Sequence, residues 1–191
     1  MNQSRTSINK TQRISTLDLV MTAMFTAILC VMAQISIPVQ PVPFTLSIFA
    51  LFLIGALLTP RYAFLAAFVY LLLGAFGVPV FAGFKGGLTS LTGMTGGYLM
   101  AYPLMTLITA LSYKLGKKHK LITMGIGMTL SLILCYLIGT LWFTFLSGKT
   151  FYVALTLCVF PFVLFDVIKI VLALSISVII RKAILKQSLN S

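Results

Sequence analysis

Acidic side chains are nearly absent from this sequence of 191 residues, which has two aspartates, Asp18 and Asp166, and no glutamate. Histidine occurs once, as His119. A metalloprotease within a membrane needs several histidine and carboxylate ligands, and an acid-base dyad needs two carboxylates close together. The sequence also contains no Walker A motif for ATP hydrolysis. These absences predict that the protein is not an enzyme and holds neither a metal nor a cofactor.

Charged residues of both signs are scarce as well. They make up 8% of the chain, whereas a typical soluble domain carries about 25%. Hydrophobic residues make up 60%, the mean hydropathy is +1.10, and the apolar residues come in long runs. We therefore predict an all-α integral membrane protein. Cys30, Cys135 and Cys158 each lie within an apolar run, and we expect them to be small buried residues rather than disulfide or metal partners.

Six apolar segments are predicted to be transmembrane helices. The third and fourth are separated by a glycine-rich outer loop over residues 78–97. This arrangement predicts a six-helix membrane domain over residues 17–182, between cytoplasmic tails 1–16 and 183–191. The predicted segments are 17–37, 44–58, 62–77, 95–113, 121–146 and 151–180.

The distribution of lysine and arginine predicts the orientation of the chain. Eleven of these residues lie in the two tails and in the connections after the second and fourth segments, against Lys85 and Lys149 on the opposite side. Because cytoplasmic loops are enriched in Lys and Arg, both termini are expected in the cytoplasm of a multi-pass protein of the cell membrane. The net charge of +12 is then a sign of topology in a lipid bilayer and not a nucleic-acid footprint.

Two charged residues, Asp166 and Lys169, lie well inside a predicted span. A charge at a helix centre costs roughly 2.5–3.5 kcal/mol on insertion scales, so each residue needs a partner or a function. Their three-residue spacing places them on one helix face. They could form an ion pair with a structural role, or they could line a polar pocket near the outer face. We favour the pocket, since intramembrane ionisable residues commonly mark functional sites.

The sequence T-G-G-Y, residues 95–98, ends the glycine-rich loop and enters the fourth helix. The free N–H groups at such a helix start could accept a carboxylate from a ligand. Equally, Gly93 and Gly97 could pack helices together in a small-xxx-small pattern. Tyr98 on its own is most often an interfacial anchor. The spacing alone does not decide between these interpretations.

Two shorter patterns occur near the start of the chain. In the proline-rich segment 38–47, Gln40 and Thr45 offer hydrogen bonds beside the apolar Phe44, although the segment could also be a connector in which Thr45 caps the second helix. Ala23 and Ala27 form a small-xxx-small face on the first helix. This face could dock another membrane subunit, although internal packing is the commoner outcome.

Four motifs occur in a fixed order along the chain. They are A-Q-I-S-I-P-V-Q-P-V-P-F-T-L at the end of the first helix, G-x-P-V-F before the glycine-rich loop, T-G-G-Y at the fourth helix and P-F-x-x-x-D-x-x-K in the sixth. Together, over about residues 17–182, they resemble the BioY family, the biotin-specific S components of energy-coupling factor (ECF) transporters. Ser47, Met94 and Leu164-Phe165 depart from the usual family residues Gln, Pro and Pro-Gly, which affects the local backbone and some hydrogen bonds.

This resemblance implies a membrane-embedded protein that captures biotin near the outer face. Uptake would need a transmembrane coupling subunit and two ATPase subunits, in agreement with the missing Walker A motif. The coupling subunit would dock on Ala23 and Ala27. The biotin-binding residues expected from the family and from the chemistry are Asp166, Lys169, Tyr98, Thr45, Phe44, Gln40, Thr95, Gly96 and Lys85.

The chemistry of biotin suits these residues. Asp166 can accept from the two N–H groups of the ureido ring, and Lys169 can donate to its carbonyl oxygen. The carboxylate of biotin would meet N–H groups near Thr95 and Gly96, or Lys85, which matches no family pattern. Phe44, Val80 and Phe81 would supply an apolar lining. Two alternatives remain, an S component for another small vitamin and a structural membrane protein in which the charged pair locks helices.

Overall fold

The computed structural model describes residues 15–116 and 119–189. Most of the predicted N-terminal tail, Lys117 and Lys118 of the basic connection, and the last two residues of the C-terminal tail lie outside the described residues. The described chain is mainly α-helical, with one short hairpin. Its helices are α1 (Thr16–Gln34), α2 (Ser47–Leu57), α3 (Pro60–Ala75), α4 (Leu88–Thr92), α5 (Gly96–Leu115), α6 (Lys120–Ser147), α7 (Phe151–Cys158) and α8 (Phe160–Leu189), and its strands are β1 (Ser36–Ile37) and β2 (Phe44–Thr45).

Within residues 15–116 and 119–189, three helices are long and apolar enough to cross a membrane, as judged by length and composition. They are α1, α6 and the Phe160–Ala183 part of α8. The apolar helices α2 and α3 are shorter, with 11 and 16 residues. The prediction of a mainly helical protein with membrane-capable helices is confirmed.

Helix ends follow from local sequence. Pro60 lies at the start of α3, where the missing N–H would have no partner in any case, and Gly148 ends α6 in the left-handed region with φ of 67°. The predicted sixth segment is divided at Val159 into α7 and α8. Pro161 cannot donate the hydrogen bond that a continuous helix needs, but it fits the first turn of α8. Asp166 consequently lies in the second turn of α8.

α5 packs against α2, α3 and α6 in the middle of the bundle. Glycine allows α5 and α6 to approach closely, because a Cβ on Gly139 would overlap the Tyr98 ring and a Cβ on Gly97 would overlap Trp142. Gly97 therefore packs helices, as one of the two interpretations expected. Tyr98 is buried, and its hydroxyl lies 3.2 Å from that of Thr140.

The two outer segments have regular structure. The proline-rich segment forms a hairpin in which β1 pairs antiparallel with β2, so that Ser36 lies opposite Thr45. The glycine-rich segment 78–97 contains α4 and a tight turn, which is closed by backbone hydrogen bonds between Phe81 and Lys85. Because the sequence predicts that both segments lie at the outer face, we call the first element the outer hairpin (residues 36–45) and the second the outer turn (residues 79–85).

Candidate functional site

A cavity of about 410 Å³ lies between the outer segments and the helices beneath them. This volume falls within the roughly 300–1,000 Å³ that is typical of small-molecule pockets. Its wall combines the outer hairpin, the outer turn and α4 with residues of α2, α3, α5, α6, α7 and α8. The cavity thus brings together residues from almost the whole length of the described chain.

Two buried charges meet in this wall. Asp166 is 1% exposed and Lys169 is 5% exposed, and Lys169 Nζ lies 2.7 Å from Asp166 Oδ1. Nζ also donates to the backbone carbonyl oxygen of Thr45, at 2.8 Å. Burial of a charge is tolerated when the charge is paired and hydrogen-bonded, and here both conditions are met. The contact with Thr45 also ties the outer hairpin to α8.

Tyr136 of α6 completes the polar cluster, since its hydroxyl donates to Oδ2 of Asp166. Each oxygen of the Asp166 carboxylate therefore has one donor from the protein. A carboxylate has about four acceptor sites and an ammonium has three N–H groups. Asp166 consequently keeps acceptor sites, and Lys169 keeps one N–H, for a ligand in the cavity.

Aromatic rings surround the polar cluster. The Lys169 ammonium lies 4.0 Å from the centroid of the Phe44 ring, within cation–π range. Phe44 stacks in turn on Phe162, with centroids 6.3 Å apart, and Tyr70 stacks on Tyr102 at the same separation. A largely apolar surface with several aromatic rings, beside a few converging polar groups, is the composition expected of a small-molecule site.

Lys85 is the third charged residue of the wall, and its side chain is exposed. Asp166 and Lys169 neutralise each other, so the charged side chains of the wall sum to +1. Thr89, Ser90 and Thr95, which carry hydroxyl groups, also line the cavity. The wall is therefore complementary to a ligand that combines a compact hydrogen-bonding group, an apolar body and one negative charge.

The sequence matches the family model described as the BioY family over residues 4–186. The chain belongs to the BioY family. It is 41% identical over 155 residues to a probable biotin transporter BioY of Pyrococcus horikoshii, covering 81% of this chain and 90% of that protein. It is 39% identical over 170 residues to a biotin transporter BioY of Thermotoga maritima, covering 86% and 96%.

The fold of this chain is also similar to that of a solved structure. It is a crystal structure of the S-component for biotin from an ECF-type ABC transporter, and it matches this BioY-family chain with a TM-score of 0.80 at 27% identity. The match covers 87% of this chain and 91% of that one.

In this BioY-family chain, most of the residues predicted to bind a ligand line the cavity, but Gln40 and Gly96 lie outside its wall. Gln40 is exposed in the outer hairpin, before the cis peptide bond to Pro41. Gly96 is buried at the start of α5, where a Cβ would overlap the Leu91 carbonyl group. A role of these two residues in ligand binding stays a prediction. The predicted residues that do line the cavity are Asp166, Lys169, Tyr98, Thr45, Phe44, Thr95 and Lys85.

Thr45 makes two polar contacts within the protein. Its carbonyl oxygen accepts from Lys169, and its hydroxyl accepts the backbone N–H of Ser47 at 3.2 Å, at the start of α2. The hydroxyl thus satisfies a backbone donor at a helix start, where donors lack a helical partner. Thr45 thus contacts both the first residue of α2 and the buried ammonium.

Sequence reasoning missed the tyrosines Tyr70, Tyr102 and Tyr136, which all line the cavity. Tyr136 lies 16 residues after the first residue of α6, or about 24 Å along the helix. Tyrosine in membrane helices is concentrated at the interfaces. A tyrosine at that depth was therefore a usable signal, although its contact with Asp166 depends on helix packing that the sequence does not give.

Ala23 and Ala27 are exposed on α1. The opposite side of the same helix is buried, and the Thr26 hydroxyl there donates to the carbonyl oxygen of Ala66 at 3.1 Å. The alanine face therefore does not pack inside the described part of this chain.

Proposed function

We propose that this chain is the biotin-binding S component of an ECF-type ABC importer, which captures biotin near the outer face of the membrane. The observation that carries the proposal is the Asp166–Lys169–Tyr136 cluster in the wall of a cavity of ligand size. The biotin transporters among its relatives and the match to the S-component for biotin support the choice of ligand.

The ureido ring of biotin is assigned to the buried cluster. It has two N–H donors and one carbonyl acceptor, which complement the remaining acceptor sites of Asp166 and the remaining N–H of Lys169. Hydrogen bonds to charged groups are about twice as strong as neutral ones, and a dry cavity strengthens them. The rings of Phe44 and Phe162 then contact the apolar body of biotin.

The carboxylate of biotin is assigned to Lys85, with hydroxyl groups from Thr89 and Thr95 nearby in the wall. Asp166 and Lys169 neutralise each other and cannot compensate the charge of the biotin carboxylate. Lys85 gives the wall one net positive charge that can. Because Lys85 is exposed, its contribution to affinity is small and sensitive to salt.

The membrane topology is proposed to have six spans, formed by α1, α2, α3, α5, α6 and the α7–α8 pair. The membrane domain covers residues 17–182, and tails 1–16 and 183–191 are cytoplasmic. The excess of Lys and Arg in the tails and in the connections after α2 and α5 supports this orientation. The outer hairpin, the outer turn and α4 then lie at the outer face, where biotin arrives.

Transport of the captured biotin requires further subunits, a transmembrane coupling subunit and two ATPases, because the chain carries no Walker A motif. The exposed Ala23 and Ala27 supply a docking face on α1, since small residues allow helices in a membrane to approach closely.

The decisive experiment is binding of radiolabelled biotin to the purified wild-type protein, with thiamine and riboflavin as competitors. Saturable binding that neither competitor displaces supports the proposal. Binding of another vitamin in place of biotin would make the chain an S component of different specificity. Monodisperse protein that binds no vitamin would leave the buried pair with a structural role.

A further inference from the structure

The side chain of Gln34, the last residue of α1, connects this helix to the outer turn. Its Nε2 donates to the carbonyl oxygens of Phe81 at 3.2 Å and of Pro79 at 3.3 Å. Its Oε1 accepts the backbone N–H of Phe84, at 2.9 Å. One carboxamide group therefore holds the outer turn at three points.

The outer turn has a backbone that needs such support. Gly83 and Phe84 both have positive φ, at 71° and 56°, and among the described residues Phe84 is the only non-glycine with this conformation. A bulky side chain disfavours the left-handed region. Phe84 is 72% exposed, so packing of its own ring does not hold this residue in place. Backbone hydrogen bonds between Phe81 and Lys85 close the turn, and the hydrogen bond from the Phe84 N–H to Gln34 ties its tip to α1.

The outer turn forms part of the cavity wall through Phe81, Ala82 and Lys85, whereas Gln34 itself is not in the wall. The outer hairpin, which supplies Phe44 and other wall residues, begins directly after the end of α1. Both outer parts of the wall are thus attached to one helix end, the hairpin through its backbone and the turn through the Gln34 side chain.

We propose that Gln34 is a positioning residue for ligand retention. By holding the outer turn against α1, it fixes the distance between the two outer walls that close over the ligand. This inference rests on the proposed function in that the ligand is biotin. Without the carboxamide the turn moves away from α1 and biotin leaves faster, while the Asp166 cluster on other elements keeps its geometry.

The test compares a variant that removes the hydrogen bonds to the outer turn with a variant that changes the same turn but keeps them. Gln34→Leu removes all three hydrogen bonds at nearly constant size, and Phe84→Ala changes an exposed side chain of the same turn but keeps the N–H. In a chase of radiolabelled biotin from monodisperse protein, we expect Gln34→Leu to raise the dissociation rate roughly tenfold, as the loss of one or two net hydrogen bonds would. Phe84→Ala should stay within about twofold of wild type, because it removes none of them. A Gln34→Leu rate within that range, or an equal rise in Phe84→Ala, overturns the proposal.

Amide hydrogen exchange of the ligand-free protein separates positioning from general stability. Gln34→Leu should speed exchange in residues 79–85 and leave α5 and α6 unchanged. Uniformly faster exchange would instead make Gln34 a residue of general structural importance and would overturn the proposal. If Gln34→Leu does not fold, Gln34→Glu serves the same test, because it places a carboxylate oxygen against the carbonyl groups of Pro79 and Phe81. Failure of the wild type to bind biotin would contradict the proposed function alone, since exchange would still decide whether Gln34 holds the turn.

Discussion

Lys169 donates two of its N–H groups to the protein, to Asp166 and to the carbonyl oxygen of Thr45, and Asp166 accepts from Lys169 and Tyr136. Replacing a buried ion pair with apolar residues is often neutral or stabilising, so such a pair is weak evidence of a role in stability. A pair that borders a cavity and retains unused donor and acceptor capacity is better explained by a ligand.

The first prediction is that Asp166→Asn weakens biotin binding. The variant loses the charge-assisted hydrogen bonds to the ureido ring, which are worth about 1.5–3 kcal/mol each. We expect biotin affinity to fall at least tenfold, measured by isothermal titration of monodisperse protein. Unchanged affinity would remove Asp166 from the site.

A double variant controls for the buried cation that Asp166→Asn leaves unpaired, which by itself can destabilise a protein by about 3–5 kcal/mol. Asp166→Asn with Lys169→Gln removes both charges together. We expect the double variant to recover thermal stability but not biotin binding. Recovery of both properties would show that the pair acts only on stability.

The second prediction concerns Lys85 and compares biotin with its neutral carboxamide. Because Lys85 is exposed, it should favour biotin over the carboxamide by about two- to fivefold, the range of surface ion pairs. Lys85→Gln should lose this preference with no change in carboxamide affinity. The measurement is a competition titration at low and high salt.

Lys85→Arg is the matched control, since it keeps the charge and should keep the preference and its salt dependence. A preference that survives in Lys85→Gln would instead assign the carboxylate to the backbone N–H groups near Thr95, which do not depend on any lysine.

Single residues were predictable from the sequence where their chemistry is unusual for a membrane. Asp166 and Lys169 stand out by charge alone, and their pairing follows from helical spacing. Gln40 lies outside the cavity wall, because a polar side chain beside a site can point either way and the sequence does not give the register of the hairpin. Tyr136 was missed because its hydrogen bond to Asp166 depends on the packing of α8, which is distant in sequence.

Helix α1 has a buried face and an exposed face, and the third prediction is that the exposed face docks the coupling subunit. Ala23→Trp with Ala27→Trp should abolish ATP-dependent biotin uptake by vesicles that contain all the subunits. Biotin binding by the isolated variant should stay normal, because the bulky rings would only keep the coupling subunit from contacting α1.

Ile133→Trp with Leu137→Trp provides the matched control, as these residues have the same spacing on α6 and are likewise exposed. This variant should transport normally. Normal uptake by the alanine variant would remove Ala23 and Ala27 from the docking surface. Loss of its biotin binding would indicate overpacking within the chain, which typically costs about 1–3 kcal/mol.

The positions of the helices were easier to predict than their breaks. Apolar runs located α1, α3, α5 and α6 closely, because length and hydropathy are local properties of the sequence. The division of the last segment into α7 and α8 depends on Pro161, which is tolerated in the first turn of a helix but not in its interior. The outer hairpin and α4 arose in segments where proline and glycine had indicated only irregular structure.

For the whole molecule, the fourth prediction is that both termini are cytoplasmic. In a background with Cys30, Cys135 and Cys158 replaced by alanine, Lys120→Cys should react with a membrane-impermeant maleimide only from the inside. Lys149→Cys should react only from the outside, since it lies at the opposite end of α6. Reaction of Lys120→Cys from the outside alone would invert the proposed topology.

α2 has 11 residues and is about 16 Å long, whereas the hydrocarbon layer of a bilayer is about 30 Å thick. In the proposed topology the outer hairpin makes up the rest of that crossing, and irregular backbone at membrane depth is tolerated where it is buried in protein or lines a water-filled space. The charged pair of α8, in the wall of the cavity, then lies at the depth of the outer leaflet. Biotin bound beside this pair has already entered the membrane without contacting lipid tails, so the ATP-driven step has only the remaining part of the crossing to complete.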